Sequence, residues 1–540
     1  MRRAIPLFVS LVLALGWVGA ALAQAPAAPA MTSDEFTQAK RIYFDRCAGC
    51  HGVLRKGATG PKLLPGDMRV EGAEKLARTI TEGTVKGMPD WGRQGILSPD
   101  EVNLMARYVQ QEPPVPPEMS LKQMKETWKV FVEPSSRPKK PEHARDWQNF
   151  FSVTLRDAGQ VAIIDGSTKE ILNTVNTGFA VHISRSSASG RYMYTIGRDG
   201  KATMIDLWMK VPDKVAEVQT CSDARSIDTS KYKGPLGNFH DKYAIIGCYW
   251  PPHFVILDGD TLEPQKVVST RSYTYDTGEF HQEPRVATIV ASHFKPQWIV
   301  TIKETGLVWL VDYSDIKNLK ITQIETEAFL HDGGWDLSKR YFIVAANQRN
   351  KLVVVDAQKE KLEAIIKVGK IPHPGRGATW VDPQYGPVGA TVHLGEGKIA
   401  VYGTDPVKNK KHAWQVVREI EVLGGGSLFL KTHPKSQWIW NDHALNADPT
   451  IQRSICVTAK KSPEKTAKCW EVSDGGRAVH LEYNKAGDEV WVSVWKRKDQ
   501  QSEIVVYDDK TLKEKVRLRD PRLITPTGKF NVYNTMKDIY

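Results

Sequence analysis

Long apolar runs, basic blocks and cysteines are all scarce in this chain of 540 residues. After the apolar run from Ala4 to Ala20 no second stretch of spanning length follows, which predicts a mature chain without a membrane span. Lys and Arg number 74 against 62 Asp and Glu, a formal net charge of +12, but they are scattered along the chain. The lack of a basic motif argues against nucleic-acid binding, and the scattered charge indicates a solvated surface that attracts acidic partners.

The N-terminus has the composition of a secretory signal peptide. Arg2 and Arg3 precede the apolar run, and residues 21–23 (Ala-Leu-Ala) supply a small-residue cleavage site. We therefore predict a signal peptide over residues 1–23 and a mature chain that starts near Gln24. Because the apolar run approaches spanning length, an uncleaved anchor is the alternative.

Two of the six cysteines belong to the pattern that attaches a c-type haem. Residues 47–51 read Cys-Ala-Gly-Cys-His, so Cys47 and Cys50 lie about one helical turn apart and can both form thioethers with one porphyrin edge. His51 then binds the iron. A thioredoxin-like redox motif is the alternative, but that motif has no use for His51. A covalent haem on an exported chain predicts a protein of the bacterial periplasm.

The other four cysteines have no such pattern. They are Cys221, Cys248, Cys456 and Cys469. In an oxidising compartment Cys456 and Cys469 can bridge a short hairpin, and a buried apolar role for each is equally open.

Residues 24–112 are predicted to form a small helical domain. Thr32 and Ser98 are capping-type residues, and each precedes a stretch with apolar residues at helical spacing. This order of helix, haem motif and helix resembles a class I cytochrome c, which needs a second axial ligand on a loop before its last helix. Met88, between Gly and Pro, fits that position, and Met68 is the competing candidate. A thioether ligand raises the reduction potential of the iron.

A repeat follows a proline-rich and charged linker, residues 113–147. From residue 148 to residue 540 an apolar β run recurs that ends in Asp or a polar turn. The Asp residues are Asp165, Asp206, Asp258, Asp312, Asp356, Asp405 and Asp508. Their spacing is 41 to 54 residues, except for a last step of 103 that spans two periods and has residues 455–458 near its middle. Eight units of this size predict an eight-bladed β-propeller with an axial cavity for a large ligand.

Four histidines lie between strands of different repeats, and the loops at such positions converge on a propeller axis. They are His182, His331, His373 and His433. Each alone is more often structural than a ligand, but together they predict a shared site for metal binding or proton transfer. Nearby arginines suit a ligand's carboxylates, with a surface ion pair as the alternative for any one of them. These are Arg156, Arg185, Arg198, Arg225 and Arg376.

Long and uncommon strings of this sequence resemble the cytochrome cd1 nitrite reductases along the whole mature chain. They include residues 151–159, 181–185, 249–252, 329–334, 372–377, 424–434 and 525–534. The resemblance implies an all-α class I cytochrome c domain followed by an all-β eight-bladed propeller. It also implies covalent haem c in the first, non-covalent haem d1 in the second, and reduction of nitrite to nitric oxide in denitrification.

The resemblance implies roles for individual residues. His182 corresponds to the proximal ligand of the haem d1 iron, and His331 and His373 stand on the distal side as catalytic groups that hold nitrite and deliver protons. The implied cofactor-binding set is Cys47, Cys50, His51 and Met88 for haem c, and Arg156, Arg185, Arg198, Arg225, Tyr249, Arg376, Thr527 and Phe530 for haem d1. The family works as a homodimer, and its haem c takes electrons from a small periplasmic donor such as a c-type cytochrome or a cupredoxin.

Three features depart from the family pattern. Residues 24–42 contain no Tyr, whereas some members place a Tyr from an N-terminal arm over haem d1. We assign His480 to the haem d1 pocket. The reductases carry Gln at this position, and a His here resembles the sequence of a dehydrogenase of haem d1 biosynthesis. His443 is either an extra base near the pocket or a surface residue. That dehydrogenase and a non-catalytic haem d1-binding electron carrier are the alternatives, while the motifs of His331 and His373 favour the reductase.

Overall fold

The structure, a computed structural model, describes residues 26–84, 87–461 and 466–540. The predicted signal peptide, residues 1–23, lies outside these ranges. Within them, none of the helices is both long and apolar enough to cross a membrane.

The first part of the described chain is a small helical domain. Its helices span Ser33–Ile42, Ala48–His51, Pro65–Glu71, Ala73–Glu82 and Pro99–Tyr108, with a π-helical turn at Tyr43–Cys47. Thr32 forms a capping box with Glu35 at the start of the first helix, as its sequence predicts. Ser98 does the same with Glu101 at the start of the last one. The apolar faces of these two helices share one core with the segment that carries Cys47.

Eight sheets follow, which we number as blades 1 to 8 and describe from the innermost strand outward. Blade 1 contains Pro526–Asn531, Phe150–Leu155, Gln160–Asp165 and Ile171–Asn176; blade 2 contains Ile183–Ser186, Tyr192–Ile196, Lys201–Asp206 and Asp213–Gln219. Blade 3 contains Asp223–Thr229, Tyr243–Trp250, His253–Asp258 and Pro264–Ser269; blade 4 contains Val286–Ala291, Gln297–Ile302, Leu307–Asp312 and Lys320–Glu325.

The remaining blades have the same plan. Blade 5 contains Leu330–Trp335, Tyr341–Ala346, Lys351–Asp356 and Lys361–Lys367; blade 6 contains Ala378–Asp382, Gly386–Thr391, Lys398–Gly403 and Val416–Glu421. Blade 7 contains Leu430–Lys431, Trp438–Asn441, Ser454–Ala459 and Thr466–Glu471; blade 8 contains Arg477–Tyr483, Glu489–Trp495, Glu503–Asp508 and Glu514–Leu518. Short helices span Pro449–Gln452 and Val532–Lys537, and two small hairpins pair Lys233–Gly234 with Gly237–Asn238 and Ser272–Tyr273 with Phe280–His281.

The recurring Asp residues end the third strand in blades 1 to 5 and in blade 8. Asp165 Oδ1 accepts the backbone N–H of Ser167 at 2.8 Å, and Asp356 Oδ1 accepts that of Gln358 at 3.0 Å. Asp recurs at this point because its side chain closes the turn to the fourth strand. In blade 7 the predicted residues 455–458 lie within the third strand. The prediction of an eight-bladed propeller after a helical domain is confirmed.

The ends of the propeller meet in blade 1. Pro526–Asn531 pairs with Phe150–Leu155, so the last strand of the chain closes the ring. The first strands of blades 1 to 5, 7 and 8 carry side chains that line the axial cavity described below.

The segment 113–147 is attached to the propeller along much of its length. It contains the helix Leu121–Thr127, the strand Lys129–Val130 and a 3₁₀ turn at Pro134–Ser136. The strand pairs with the outer strand of blade 2, and Met124 is fully buried between blades 2 and 3. The indole N–H of Trp128 donates to the carbonyl of Thr261 at 2.7 Å. This segment is therefore fixed against blades 2 and 3.

The four propeller cysteines form two disulfides, Cys221–Cys248 and Cys456–Cys469. Cys456 and Cys469 lie directly opposite each other on paired strands of blade 7. The sequence left open either a disulfide or separate buried thiols for this pair, and the structure has the disulfide. Cys47 and Cys50 are free thiols.

Candidate active site

A cavity of about 860 Å³ lies between the helical domain and the inner strands of the propeller. Its volume falls in the range of cofactor pockets, about 300–1,000 Å³. Residues that the motifs single out line it together: Cys47, Cys50, His51, Met88, Arg156, His182, Arg185, Arg198, Arg225, His331, His373, Arg376, His480, Thr527 and Phe530.

His51 ends a short helix and faces the cavity. Its Nδ1–H donates to the carbonyl of Pro61 at 2.8 Å, which leaves the lone pair of Nε2 free for a metal. A Cβ on Gly60 would lie 2.8 Å from the ring, so only glycine lets the loop cover the imidazole. Burial lowers the pKa of His51, which keeps it in the neutral form that a ligand needs. Burial also raises the pKa of the Cys47 thiol to about 12.

Two methionines of the helical domain reach the cavity. Met68 lies in the helix Pro65–Glu71 and packs in the core of that domain. Met88 lies on a loop after Gly87, whose φ is +94°, and the hydroxyl of Thr84 holds its backbone N–H at 3.3 Å. Because the Met88 side chain has no place in the described core cluster, its thioether is the freer of the two candidate ligands.

His182 lies just before the inner strand of blade 2, and its side chain is open to the cavity although far from bulk solvent. Its backbone N–H donates to Ile196 at 2.9 Å. The guanidinium Nη1 of Arg225 lies 3.3 Å from each ring nitrogen. Burial first, and then the charge of Arg225, holds the pKa of His182 well below its usual value. His182 is therefore a neutral imidazole and a candidate metal ligand.

His331 and His373 converge on one carboxylate. Their ring centroids lie 5.0 Å apart, and Asp332 lies between them with its oxygens 3.8 Å from His331 Nε2 and 3.6 Å from His373 Nε2. The carbonyl of Leu428 accepts from His373 Nδ1–H at 2.9 Å, which leaves Nε2 for the cavity. His331 Nδ1 is buried without a hydrogen-bond partner in the described chain. Two imidazoles beside one carboxylate can bind an anion and exchange protons.

Two of the cavity-lining positions depend on β-bulges. The ladder of blade 5 shifts between His331 and Gly333, and Asp332 has a φ of +49°. The ladder of blade 8 shifts around His480, which has a φ of +56° and donates its backbone N–H to Asp442 at 3.0 Å. A positive φ costs a non-glycine residue about 1–3 kcal/mol. A bulge changes the direction in which the side chain points. The inner strands are thus distorted where they present these side chains to the cavity.

Arg198 and Arg156 line the cavity with partners already in place. Arg198 Nη2 and Nε lie 2.7 Å and 3.3 Å from the two carboxylate oxygens of Asp223. Arg156 lies 2.6 Å from its neighbour Asp157. These two guanidinium groups are therefore less free to bind a ligand than their sequence motifs imply.

The other three of the five arginines that the sequence analysis named, Arg185, Arg225 and Arg376, make no ion pair with a carboxylate of the described residues. Arg376 donates to the carbonyl of Gly333 at 3.1 Å, and Arg185 lies over the ring of Phe530 at 5.9 Å. Burial lowers the pKa of Arg185 to about 10, which leaves it charged at neutral pH. Arg185 is buried, Arg225 and Arg376 are half-buried, and none of the three faces a carboxylate, so together they form a site for an anionic ligand.

An apolar wall adjoins these cations. The His480 ring lies 4.6 Å from the Phe429 ring and 5.3 Å from the Phe530 ring. The hydroxyl of Thr527 lies 2.8 Å from that of Thr154. Flat aromatic faces beside free guanidinium groups suit a planar ligand with carboxylates at its edge.

Three residues from the sequence analysis lie away from the described cavity wall. Tyr249, expected to line the pocket, is buried behind it, 5.4 Å beneath Arg225, and burial raises its pKa to about 12. His443 is fully buried, and its Nδ1 lies 3.4 Å from the carbonyl of Ser454, so it is neither a pocket base nor a surface residue. His433 is buried beside Tyr483.

The sequence analysis also missed side chains that belong to this region. Lys303 is completely buried, donates to the hydroxyl of Thr59 at 2.7 Å, and contributes a charge that lowers the pKa of His331. Tyr540 lines the cavity and donates to Asp538 at 2.9 Å. Lys303 has no motif that sets it apart from other lysines. Asp332, by contrast, directly follows His331, and that adjacency was a usable signal.

Two family models match the chain. The model of the Cytochrome D1 heme domain matches residues 145–535, and that of Cytochrome C oxidase, cbb3-type, subunit III matches residues 34–109. The two matches correspond to the propeller and the helical domain.

Several known proteins are similar along nearly the whole chain. A nitrite reductase of Stutzerimonas stutzeri is 51% identical over 562 residues, which cover 99% of each chain. A dihydro-heme d1 dehydrogenase of Pseudomonas aeruginosa is 27% identical over 97% of each chain. A solved structure of a dihydro-heme d1 dehydrogenase has a TM-score of 0.69 and 25% identity, and covers 92% of this chain and 99% of that one.

Proposed function

Because the chain belongs to the cytochrome cd1 nitrite reductase family, we propose that nitrite is reduced to nitric oxide beside His331 and His373 in the propeller cavity. The enzyme is a nitrite reductase of the cd1 type, with a haem c domain followed by a haem d1 domain. The observation that carries the assignment of the site is the cluster of two imidazoles around Asp332.

The residues of the helical domain fit a covalent haem c. Cys47 and Cys50 are the thiols for its thioethers, and His51 offers Nε2 because Pro61 holds Nδ1. Met88 is the second ligand in this proposal, since it reaches the cavity from a loop rather than from the core.

The propeller wall fits haem d1, a planar macrocycle with carboxylates. His182 would hold its iron, Arg185, Arg225 and Arg376 would bind its carboxylates, and the Phe530 face would pack against it. Arg156, Arg198, Thr527 and His480 complete the proposed binding set. Haem d1, when bound, supplies the iron at which nitrite accepts an electron.

The distal residues handle the anion and the protons. Nitrite plus one electron and two protons gives nitric oxide and water, so two protons must reach one nitrite oxygen. His331 and His373 donate hydrogen bonds to nitrite from Nε2 and deliver these protons. Asp332 lies within 4 Å of both Nε2 atoms, and its negative charge favours the protonated form of His331. The cationic wall attracts nitrite into the cavity.

Electrons enter through the helical domain. A small periplasmic donor, either a c-type cytochrome or a cupredoxin, reduces haem c, and the protein works in denitrification as a periplasmic homodimer. The signal peptide of residues 1–23 and the covalent haem motif support this location. The scattered positive charge, +12 overall, favours an acidic donor.

Dehydrogenation of dihydro-haem d1 is the second candidate, because His480 lines the cavity and a dehydrogenase is 27% identical to the chain. One experiment separates the two functions. The purified holoprotein is given nitrite with a reduced donor, and separately dihydro-haem d1 with an oxidised acceptor. Nitric oxide in the first assay alone supports the reductase, and haem d1 formation in the second alone supports the dehydrogenase.

A further inference from the structure

Two neighbouring residues of the propeller, Glu283 and Arg285, contact the backbone in and just after the haem-attachment motif, and we call these contacts the grip. Both carboxylate oxygens of Glu283 accept backbone N–H groups just after His51, from Val53 at 2.7 Å and from Leu54 at 2.9 Å. Two residues further along the propeller chain, Arg285 reaches the motif itself.

Arg285 contacts the motif between its two cysteines. Its Nη1 lies 3.4 Å from the carbonyl of Ala48 and 3.5 Å from that of Gly49. The rest of its guanidinium is fixed by Glu304, with contacts of 2.6 Å and 2.8 Å from Nη2 and Nε to one carboxylate oxygen. Glu283 thus accepts from backbone N–H groups of residues 48–54, and Arg285 donates to backbone carbonyls of the same segment.

The grip is buried and leaves little room for movement. Glu283 is 2% exposed and Arg285 is 1% exposed. Gly52 lies between the motif and Val53 with a φ of +82°, and a Cβ there would lie 3.2 Å from Glu283 Oε2. A buried carboxyl group that accepts two N–H groups is costly to displace, because both donors then lose their partner.

We propose that Glu283 and Arg285 are positioning residues that hold residues 48–54 in a fixed place over the cavity and thereby set the rate of electron transfer from haem c to haem d1. In this transfer one electron leaves the haem c iron, which goes from ferrous to ferric, and is accepted at haem d1. The inference rests on the proposed function only in placing haem c at His51 and haem d1 in the cavity.

Other contacts between the two domains reach residues beside the motif. Arg46 lies 3.2 Å from Asp157, and Arg198 Nη1 lies 3.2 Å from the carbonyl of Asp45. Lys303 bonds to Thr59 at 2.7 Å. These contacts keep the domains together when the grip is weakened, so a change at Glu283 alters the position of the motif rather than the assembly.

The first test is Glu283→Gln in the holoprotein, with Glu279→Gln as its control. Gln keeps one acceptor oxygen but turns an NH₂ group toward the second backbone N–H, so one bond is lost and two donors face each other. Glu279 is exposed on the same segment and lies outside both cofactor sites. Arg285→Lys is the second variant, which keeps the charge and loses the fork.

Three quantities are measured: covalent haem c content, amide hydrogen exchange at Val53 and Leu54, and the rate of haem c oxidation by haem d1 after a brief pulse of reductant without nitrite. We expect unchanged haem c content, exchange about tenfold or more faster in Glu283→Gln, and electron transfer slowed by about ten- to a hundredfold in both variants. Glu279→Gln should match the wild type.

A wild-type rate of transfer in either folded variant would overturn the proposal, even with faster exchange. If Glu283→Gln does not fold, the rate in Arg285→Lys decides alone. Because transfer is measured without nitrite, a failure of the nitrite reductase function leaves this test intact. A wild type that holds no haem at His51 or in the cavity would instead refute the cofactor assignment.

Discussion

The imidazole rings of His331 and His373 lie 5.0 Å apart and are inclined by 60°. They come from the inner strand of blade 5 and from the loop that follows this blade, and Asp332 lies within 4 Å of an Nε2 atom of each. Because both rings lie beside the same carboxylate, a change at Asp332 affects both proton donors.

Asp332→Asn should lower nitrite turnover at neutral pH by roughly fivefold and move its optimum to lower pH. Asn keeps the size of the side chain but removes the anion that favours the protonated form of His331, an effect of about 1 kcal/mol for a partly exposed pair. The measurement is the pH profile of kcat in protein with full haem content. An unchanged profile would mean that Asp332 does not act on the two histidines.

Lys303→Met should move the same profile in the opposite direction. Burial is the main cause of the low pKa of His331, and the charge of Lys303 is the next cause. Without Lys303 the pKa of His331 rises, so the protonated donor persists, and turnover declines at higher pH than in the wild type. Lys320→Met, an exposed change in the same blade, is the control. A shift to lower pH would contradict the assigned role of His331.

The repeat could be predicted from the sequence because its Asp residues act locally. Asp165 and Asp356 each bond to a backbone N–H two residues further on, so the same letter recurs wherever the same turn recurs. The capping residues Thr32 and Ser98 were readable for the same reason.

The missed features depend on distant contacts. Glu283 bonds to Val53 across 230 residues, and nothing near Glu283 in the sequence signals a partner. His443 illustrates the reverse problem, since the sequence could not tell whether it faces the cavity or the core. It follows the second strand of blade 7, Trp438–Asn441, by two residues, and its fully buried ring lies near Ser454.

Met88→Ala should lower the reduction potential of haem c, because loss of a thioether ligand removes its preference for ferrous iron. A potentiometric titration followed at the haem c absorption bands measures the change. Met68→Leu conserves volume in the helical core and should leave the potential near that of the wild type. The opposite pattern would assign the ligand to Met68.

The double change Cys456→Ala and Cys469→Ala should destabilise the propeller by about 3 kcal/mol, the value for a disulfide that closes a loop of about 15 residues. The bridge joins residues 13 apart in the sequence. Denaturant unfolding of the variant and the wild type, under non-oxidising and oxidising conditions, measures the loss in free energy of unfolding. Equal stability of the variant and the oxidised wild type would contradict a stabilising bridge.

The central claim is that this cavity reduces nitrite with protons from His331 and His373, and nitric oxide release from the reduced holoprotein tests it most directly. Holoprotein with both haems is reduced, mixed with nitrite, and followed for nitric oxide alongside His331→Ala and His373→Ala. We predict nitric oxide from the wild type, and turnover lower by about two to four powers of ten in each variant at unchanged haem content. A fully loaded wild type that forms no nitric oxide, or variants that keep its full rate, would contradict the account.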